Sequence, residues 1–231
     1  MGLLDSSRYS GFLGSVKSNG YAPPWRPDQF AQRAPYLKAR AAILSALRTW
    51  FGRNGFVEVD TPSLQVSPGV EPHLRAFSTT LEEPFGLGAR QMFLHTSPEY
   101  AMKKLLAAGV PRLFQIGHVW RNEARSPIHH PEFTMIEWYA ANEDQDALMT
   151  QCADLVRAAL AAVPSDLSGG CLSFGTQSAD PAGSFERMTM AEAYTRYAGI
   201  DLFATLRADG SPDHGALRAA CRASGIAAAD S

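Results

Sequence analysis

The chain has 231 residues, 45% of them hydrophobic and 19% charged, and its 21 Lys and Arg against 23 Asp and Glu leave a net charge of −2. That composition excludes a disordered chain, and the near-neutral balance excludes the broad basic surface that grips nucleic acid. Cys152, Cys171 and Cys221 are odd in number and widely spaced, which argues against a disulfide framework and fits a reducing cytoplasm; no apolar run approaches the ~20 residues of a membrane span, and the N-terminus has no secretory h-region.

In chain order, residues 1–35 are rich in Ser, Gly and Pro and read as a flexible N-terminal arm. Leu37, Leu44, Leu47 and Phe51, with Ile43 and Trp50 beside them, then repeat at helical spacing for about five turns. Gly55 stops that helix, Phe56 to Val59 reads as a short strand, and Thr61-Pro62 ends it because proline cannot donate to a ladder. Residues 65–90 are dense in Gly and Pro and read as turns. Met92 to His95 reads as a strand. Ser97-Pro98-Glu99 opens a helix with a capping hydroxyl, an early proline and an acid in the first turn, and Gly109 closes it. Leu113 to Arg121 and Glu132 to Ala140 read as strands joined by a polar loop. A second long helical pattern covers 143–163, and 164–184 reads as a linker. Thr189 with Glu192 fits a capping box, and a further helix is expected near 214–224.

The chemistry concentrates in the two strands flanking the loop. Period two places Phe133, Met135, Glu137 and Tyr139 on one face of the second strand, and Thr134, Ile136 and Trp138 on the other. The first face carries an aromatic plate and a carboxylate; the second suits packing under helices. The same period puts Arg121 and Glu123 on one face of the first strand. A guanidinium and a carboxylate beside an aromatic plate suit a nucleotide, with arginine on phosphate, ring on base and carboxylate on an exocyclic amine. Taken singly, Arg121-Asn122-Glu123 reads better as a solvated, salt-bridged turn, and only the combination with the second strand favours the nucleotide reading. Gly86-Leu-Gly88 is no phosphate loop, since no Lys-Ser/Thr follows. His129, His130 and Cys152 lack the spacing of metal ligands, so no metal site is assigned.

Phe114 to Glu123, the loop, and His129-His-Pro-Glu-Phe-Thr-Met-Ile-Glu-Trp-Tyr139 together resemble motif 2 of the class II aminoacyl-tRNA synthetases in its lysine-type form. Arg40 to Pro62 resembles motif 1, the dimer-interface element, and Thr96-Ser-Pro-Glu-Tyr-Ala-Met-Lys-Lys-Leu-Leu106 resembles the helix before motif 2. Within that group three features resemble the free-standing paralogues that attach lysine or (R)-β-lysine to elongation factor P. These are the short lead-in before motif 1, Ser97 where the synthetases usually carry Ala, and Glu71-Pro-His-Leu-Arg-Ala-Phe77. The resemblance covers roughly residues 36–202.

It implies an α+β fold, an antiparallel sheet flanked by helices, with residues 36–231 forming a partial catalytic domain and a homodimer built through motif 1. It further implies ATP with Mg²⁺ on its phosphates and a cytoplasmic ligase acting on elongation factor P, with no membrane and no tRNA as partner. By the same resemblance Arg121 is the catalytic group, holding the α-phosphate and the transferred acyl group. Glu123 meets the adenine amine, Phe133 stacks on adenine, and His129 lies near the outer phosphates; His130 is assigned nothing. Glu99 meets the substrate's α- or β-amine, Glu137 with Tyr139 meets the substrate's ε-ammonium, and Ser97 helps accommodate the shifted amine of β-lysine. The family's motif 3, a Gly-rich segment with an Asp-Arg pair, does not occur in these residues, so the chain is expected to correspond to the family's N-terminal part. Two other readings stay open: a free-standing lysyl-tRNA synthetase, and a non-catalytic dimerisation or binding module.

Overall fold

The computed structural model of the chain describes residues 25–123, 126 and 128–227. It forms two compact units that divide after Pro181. In the first, α1 (Pro27–Arg53) leads to β1 (Val57–Glu58), β2 (Leu64–Gln65), β3 (Ser78–Glu82) and β4 (Ala89–Leu94). Then come α2 (Glu99–Ala107), β5 (Arg112–Trp120), β6 (Glu132–Ala140), α3 (Gln145–Ala161), α4 (Ser165–Ser168) and the hairpin β7 (Leu172–Phe174) and β8 (Gln177–Ala179).

β5 is the centre of the main sheet. It pairs parallel with β1 and antiparallel with β6, the latter from Arg112↔Ala140 to Trp120↔Glu132. The order β2-β4-β3 forms a second, antiparallel sheet. The even-numbered face of β5 and β6 meets the two long helices. Leu47 and Phe51 of α1, Phe56, Phe114 and Leu155 of α3 are buried together, and Ile43, Trp50, Ile116, Ile136 and Trp138 pack around them. Phe51 is fully buried and stacks on Phe114 with ring centroids 4.2 Å apart. Polar ties fix the helices on this face: Arg40 Nη2 donates to Thr134 Oγ1 at 2.6 Å, and Trp138 Nε1 to Gln151 Oε1 of α3 at 2.8 Å. The odd-numbered face is left for the site. This is the α+β class expected, with the apolar face of the second strand under helices.

Several elements differ from the sequence reading. The first helix begins at Pro27, so part of the expected arm is helical; residues 1–24 lie outside the described residues. Pro27 occupies the first turn, where its missing N–H costs nothing, and Pro35 forfeits only one helical bond, to the Ala31 carbonyl. The expected turns of 65–90 contain the end of β2, all of β3 and part of β4. β3, Ser78-Thr-Thr-Leu-Glu82, is mostly exposed and lacks the apolar alternation that marks a half-buried strand. The expected linker likewise holds α4 and the β7–β8 hairpin, whose residues are exposed throughout. α3 starts at an Asp144 cap, whose side chain accepts from Ala147 N at 2.9 Å.

The second unit contains α5 (Met190–Ala193), a π turn over Tyr194–Ala198 and α6 (His214–Ala223). The capping box forms as expected, with Thr189 and Glu192 each bonding the other's backbone. Asp213 caps α6 by accepting from Ala216 N.

Candidate active site

Two side-chain groups sit on the odd-numbered face and at its end. The first centres on Glu137. Register places it opposite Gln115, with Tyr139 opposite Leu113 and Phe133 opposite Val119. Ser97 Oγ donates to Glu137 Oε2 at 2.6 Å, and the Tyr139 hydroxyl donates to Glu137 Oε1 at 2.5 Å. Ser97 Oγ also accepts from Glu99 N at 3.1 Å, so one hydroxyl ties the start of α2 to the middle of β6. Both oxygens of Glu137 thus have a donor, and charge-assisted bonds of this kind hold a carboxylate in a fixed orientation. Burial, and then the bond to Glu137, push the Tyr139 phenol well above its ordinary pKa, so it stays a donor.

Glu99 is not free. Lys103, one turn along α2, forms an ion pair with it, and the Lys103 ammonium lies 5.7 Å from the Tyr139 ring centroid. The hydrogen bond from Lys103 to Glu99 is the main reason the ammonium's pKa is raised.

Beneath Glu137 the face is stiff. Gln115 is buried, and its Oε1 accepts from Thr61 N at 3.1 Å and Thr61 Oγ1 at 2.9 Å. Gly117 leaves room for that amide: a Cβ there would come within 3.3 Å of Gln115 Nε2.

The second group surrounds Arg121. A cleft of about 410 Å³ is lined by Pro72, His73, Leu74, Arg75, Arg121, Asn122 and Glu123. Arg121 Nε donates to the Thr96 carbonyl at 3.4 Å, and its guanidinium carbon lies 5.3 Å from the Phe133 ring centroid. The segment carrying Thr96 is held to β5 by Trp120 N on the His95 carbonyl and by the His95 ring on the His118 carbonyl, at 3.1 and 2.9 Å. Asn122 N donates to the Arg75 carbonyl at 2.7 Å, which brings residues 72–75 against the end of β5.

The expectation that Arg121 and Glu123 share a strand face is corrected. β5 ends at Trp120, and Glu123 has a left-handed φ of 65°, so period two does not reach it. Its carboxylate instead pairs with Arg75 at 3.1 Å, both side chains largely exposed. The two residues still border one cleft. His129 stays in the loop, where Nδ1 meets Ser126 Oγ at 2.7 Å and the two backbones pair. His130 is held to Glu132.

The structure therefore brings together Ser97, Glu99, Glu137 and Tyr139, and separately Arg121 with Phe133. Glu123 joins the cleft from a turn. Arg75, Lys103 and Gln115 were missed. Lys103 was visible as Glu99–Lys103 spacing along one helix face, and Gln115 as a polar residue set among Leu113, Phe114 and Ile116. Arg75 had no local signal, because only the chain's path brings it to Arg121.

Excess positive charge in a cleft beside an aromatic ring fits a polyphosphate, and two oriented carboxylates fit amines. Among the described residues no three His, Cys, Asp or Glu side chains converge as a metal site. Among the described residues no helix is long and apolar enough to cross a membrane.

A mixed sheet under two long helices, with Glu137 on its open face and Arg121 just past the end of β5, accords with the α+β fold that the resemblance to class II synthetases implies. The profile of the class II tRNA synthetases (D, K and N) matches residues 30–222, and the chain belongs to that family. Curated relatives carry the name elongation factor P–(R)-β-lysine ligase. The Histophilus somni (strain 2336) protein is 40% identical over 144 residues, covering 62% of this chain and 44% of the relative. The Sodalis glossinidius protein is 36% identical over 177 residues, covering 77% and 47%, and the Haemophilus influenzae protein is 41% identical over 142, covering 62% and 43%. The chain matches somewhat under half the length of these relatives.

Proposed function

We propose that the chain carries the amino-acid and nucleotide side of an ATP-dependent ligase that activates lysine or (R)-β-lysine as an adenylate, for transfer to a lysine of elongation factor P in the cytoplasm. One observation carries this reading. Glu137, fixed by Ser97 and Tyr139, stands on the same strand face as Phe133, which packs on Arg121. Four residue steps of strand, about 13 Å, separate them, enough for one ligand to reach from an amine at Glu137 to a phosphate at Arg121.

In that reading Glu137 and Tyr139 receive the ε-ammonium and Glu99 the α- or β-amine. A fixed carboxylate selects an ammonium because a neutral side chain of the same shape would leave the charge unpaired. Arg121 neutralises the α-phosphate while the substrate carboxylate attacks phosphorus in line. A new P–O bond forms, the bond to pyrophosphate breaks, and pyrophosphate leaves with its electron pair. The acceptor amine then attacks the acyl carbon and AMP leaves. Positioning and charge neutralisation supply the acceleration, so no side-chain nucleophile is needed. Glu123, Phe133 and His129 are proposed to serve the adenine and outer phosphates, and Glu123 must exchange Arg75 for the adenine amine. The names of the relatives support elongation factor P as acceptor. A homodimer through α1 is part of the same proposal.

Equilibrium binding tests it. The chain is expected to bind ATP, with the affinity lost in Arg121→Ala, and to bind lysine or (R)-β-lysine in preference to norleucine. Equal affinity for lysine and norleucine would refute the ammonium assignment. Mass spectrometry of elongation factor P and acid-gel analysis of tRNA after incubation with the enzyme, ATP and lysine or (R)-β-lysine separate the ligase from a lysyl-tRNA synthetase.

A further inference from the structure

The pocket read as a receptor for ammonium groups already contains one. Lys103 is anchored on α2, and its Nζ bonds Glu99 while standing over the Tyr139 ring, within the field of Glu137. Glu99 and Glu137 share a hydroxyl, since Ser97 Oγ donates to one side chain and accepts from the other residue's backbone. Lys103 is the cation bonded to the Glu99 carboxylate, whereas the Glu137 oxygens are held by Ser97 and Tyr139.

We propose that Lys103 is a resident stand-in for the substrate's α- or β-ammonium: it occupies Glu99 in the ligand-free chain, and the incoming amine binds by displacing it. The proposal rests on the reading of this pocket as an amine site and deepens it. Lys103 has the means to leave. Its side chain is half exposed, at 50%, against 29% for Glu99, and its flexible four-carbon stem carries a well-hydrated ammonium that water can accept. An exposed pair of this kind is weak enough for a ligand to exchange. Glu137 differs, because its oxygens are held by two hydroxyls and no resident cation must move. Lys103 is thus a specificity residue: a substrate gains at Glu99 only the difference between its own amine and the one already there.

Calorimetric titration of the native chain, Lys103→Met and Lys103→Arg with lysine, norleucine and ε-aminocaproate tests this. ε-Aminocaproate keeps the terminal ammonium but lacks the amine that would meet Glu99. Lys103→Met is expected to bind lysine about two- to fivefold tighter, as removal of an exposed competing ion pair predicts, with ε-aminocaproate unchanged. Lys103→Arg is expected to bind lysine more weakly, because its planar fork grips Glu99 through two N–H groups. A purely structural lysine would not produce tightening on removal and weakening on replacement by arginine. If the native chain prefers lysine to norleucine but Lys103→Met binds lysine equally or more weakly, displacement is wrong and the amine reading stands. If ε-aminocaproate affinity rises together with lysine affinity, displacement at Glu99 is also wrong. If the native chain shows no preference for lysine over norleucine, both fall together.

Discussion

In the function proposed above, Glu137 is the residue on which substrate choice turns. Hydroxyls from two different elements, Ser97 before α2 and Tyr139 on β6, donate to its two oxygens. A carboxylate so held cannot rotate away from an ammonium, and the elevated phenol pKa keeps Tyr139 donating. Replacing the charge while keeping the shape isolates its role. Glu137→Gln is expected to lower lysine affinity at least about tenfold, the scale of a charge-assisted hydrogen bond, while norleucine affinity stays within about twofold. Titration of both ligands checks this; an equal loss for both would mean that the variant disturbs the sheet instead of the charge.

At the scale of elements, α2 and β6 are joined by Ser97, and the Arg121 cleft is joined to residues 72–75 by a backbone bond from Asn122. The unit after Pro181 depends on caps. Glu192 is held below the usual carboxylate range by its bond from Thr189 N, Asp209 by its bonds from Ser211, and Asp213 by its bond from Ala216 N. A carboxyl group whose pKa is lower in the folded state contributes stability that is present above its unfolded pKa and lost as pH falls through the folded value. The helical signal of residues 189–223 is therefore expected to weaken below about pH 4, near the ordinary carboxylate range, as protonation removes the caps. Amide exchange of α5 and α6 measured from pH 7 downwards checks this; protection unchanged to pH 2 would contradict it.

For the whole molecule, the core on one face of the sheet sets the geometry of the other. Phe51 is fully buried between Phe56, Phe114 and Trp138, where α1, α3 and the main sheet converge. Phe51→Ala is expected to cost about 3–5 kcal/mol, the range for a large buried aromatic side chain. Chemical denaturation checks the magnitude. Because even- and odd-numbered residues of β5 and β6 alternate across one sheet, a slip of that packing by one residue would turn Phe133 and Glu137 toward the helices.

Periodicity by itself determined the part of this protein that obeys local rules. The strand 132–140, its two faces, the helices holding Leu47, Phe51 and Leu155, and the Thr189–Glu192 cap were all legible, since side-chain alternation and capping depend only on near neighbours. The resemblance to the class II synthetases singled out Ser97, Glu99, Arg121, Phe133 and Glu137. Tertiary structure alone decided the rest. β3 is exposed, and nothing in its composition announces that it pairs with β4. Glu123 leaves the strand because the chain turns left-handed after Arg121, and Arg75 reaches it from a segment distant in sequence. Lys103 comes over the Tyr139 ring only because Ser97 ties the start of α2 to β6. Local propensity acts over a few residues, whereas charge pairing acts through space; the Glu99–Lys103 pair follows helix spacing, but only the fold could show that Glu123 has Arg75 as its partner.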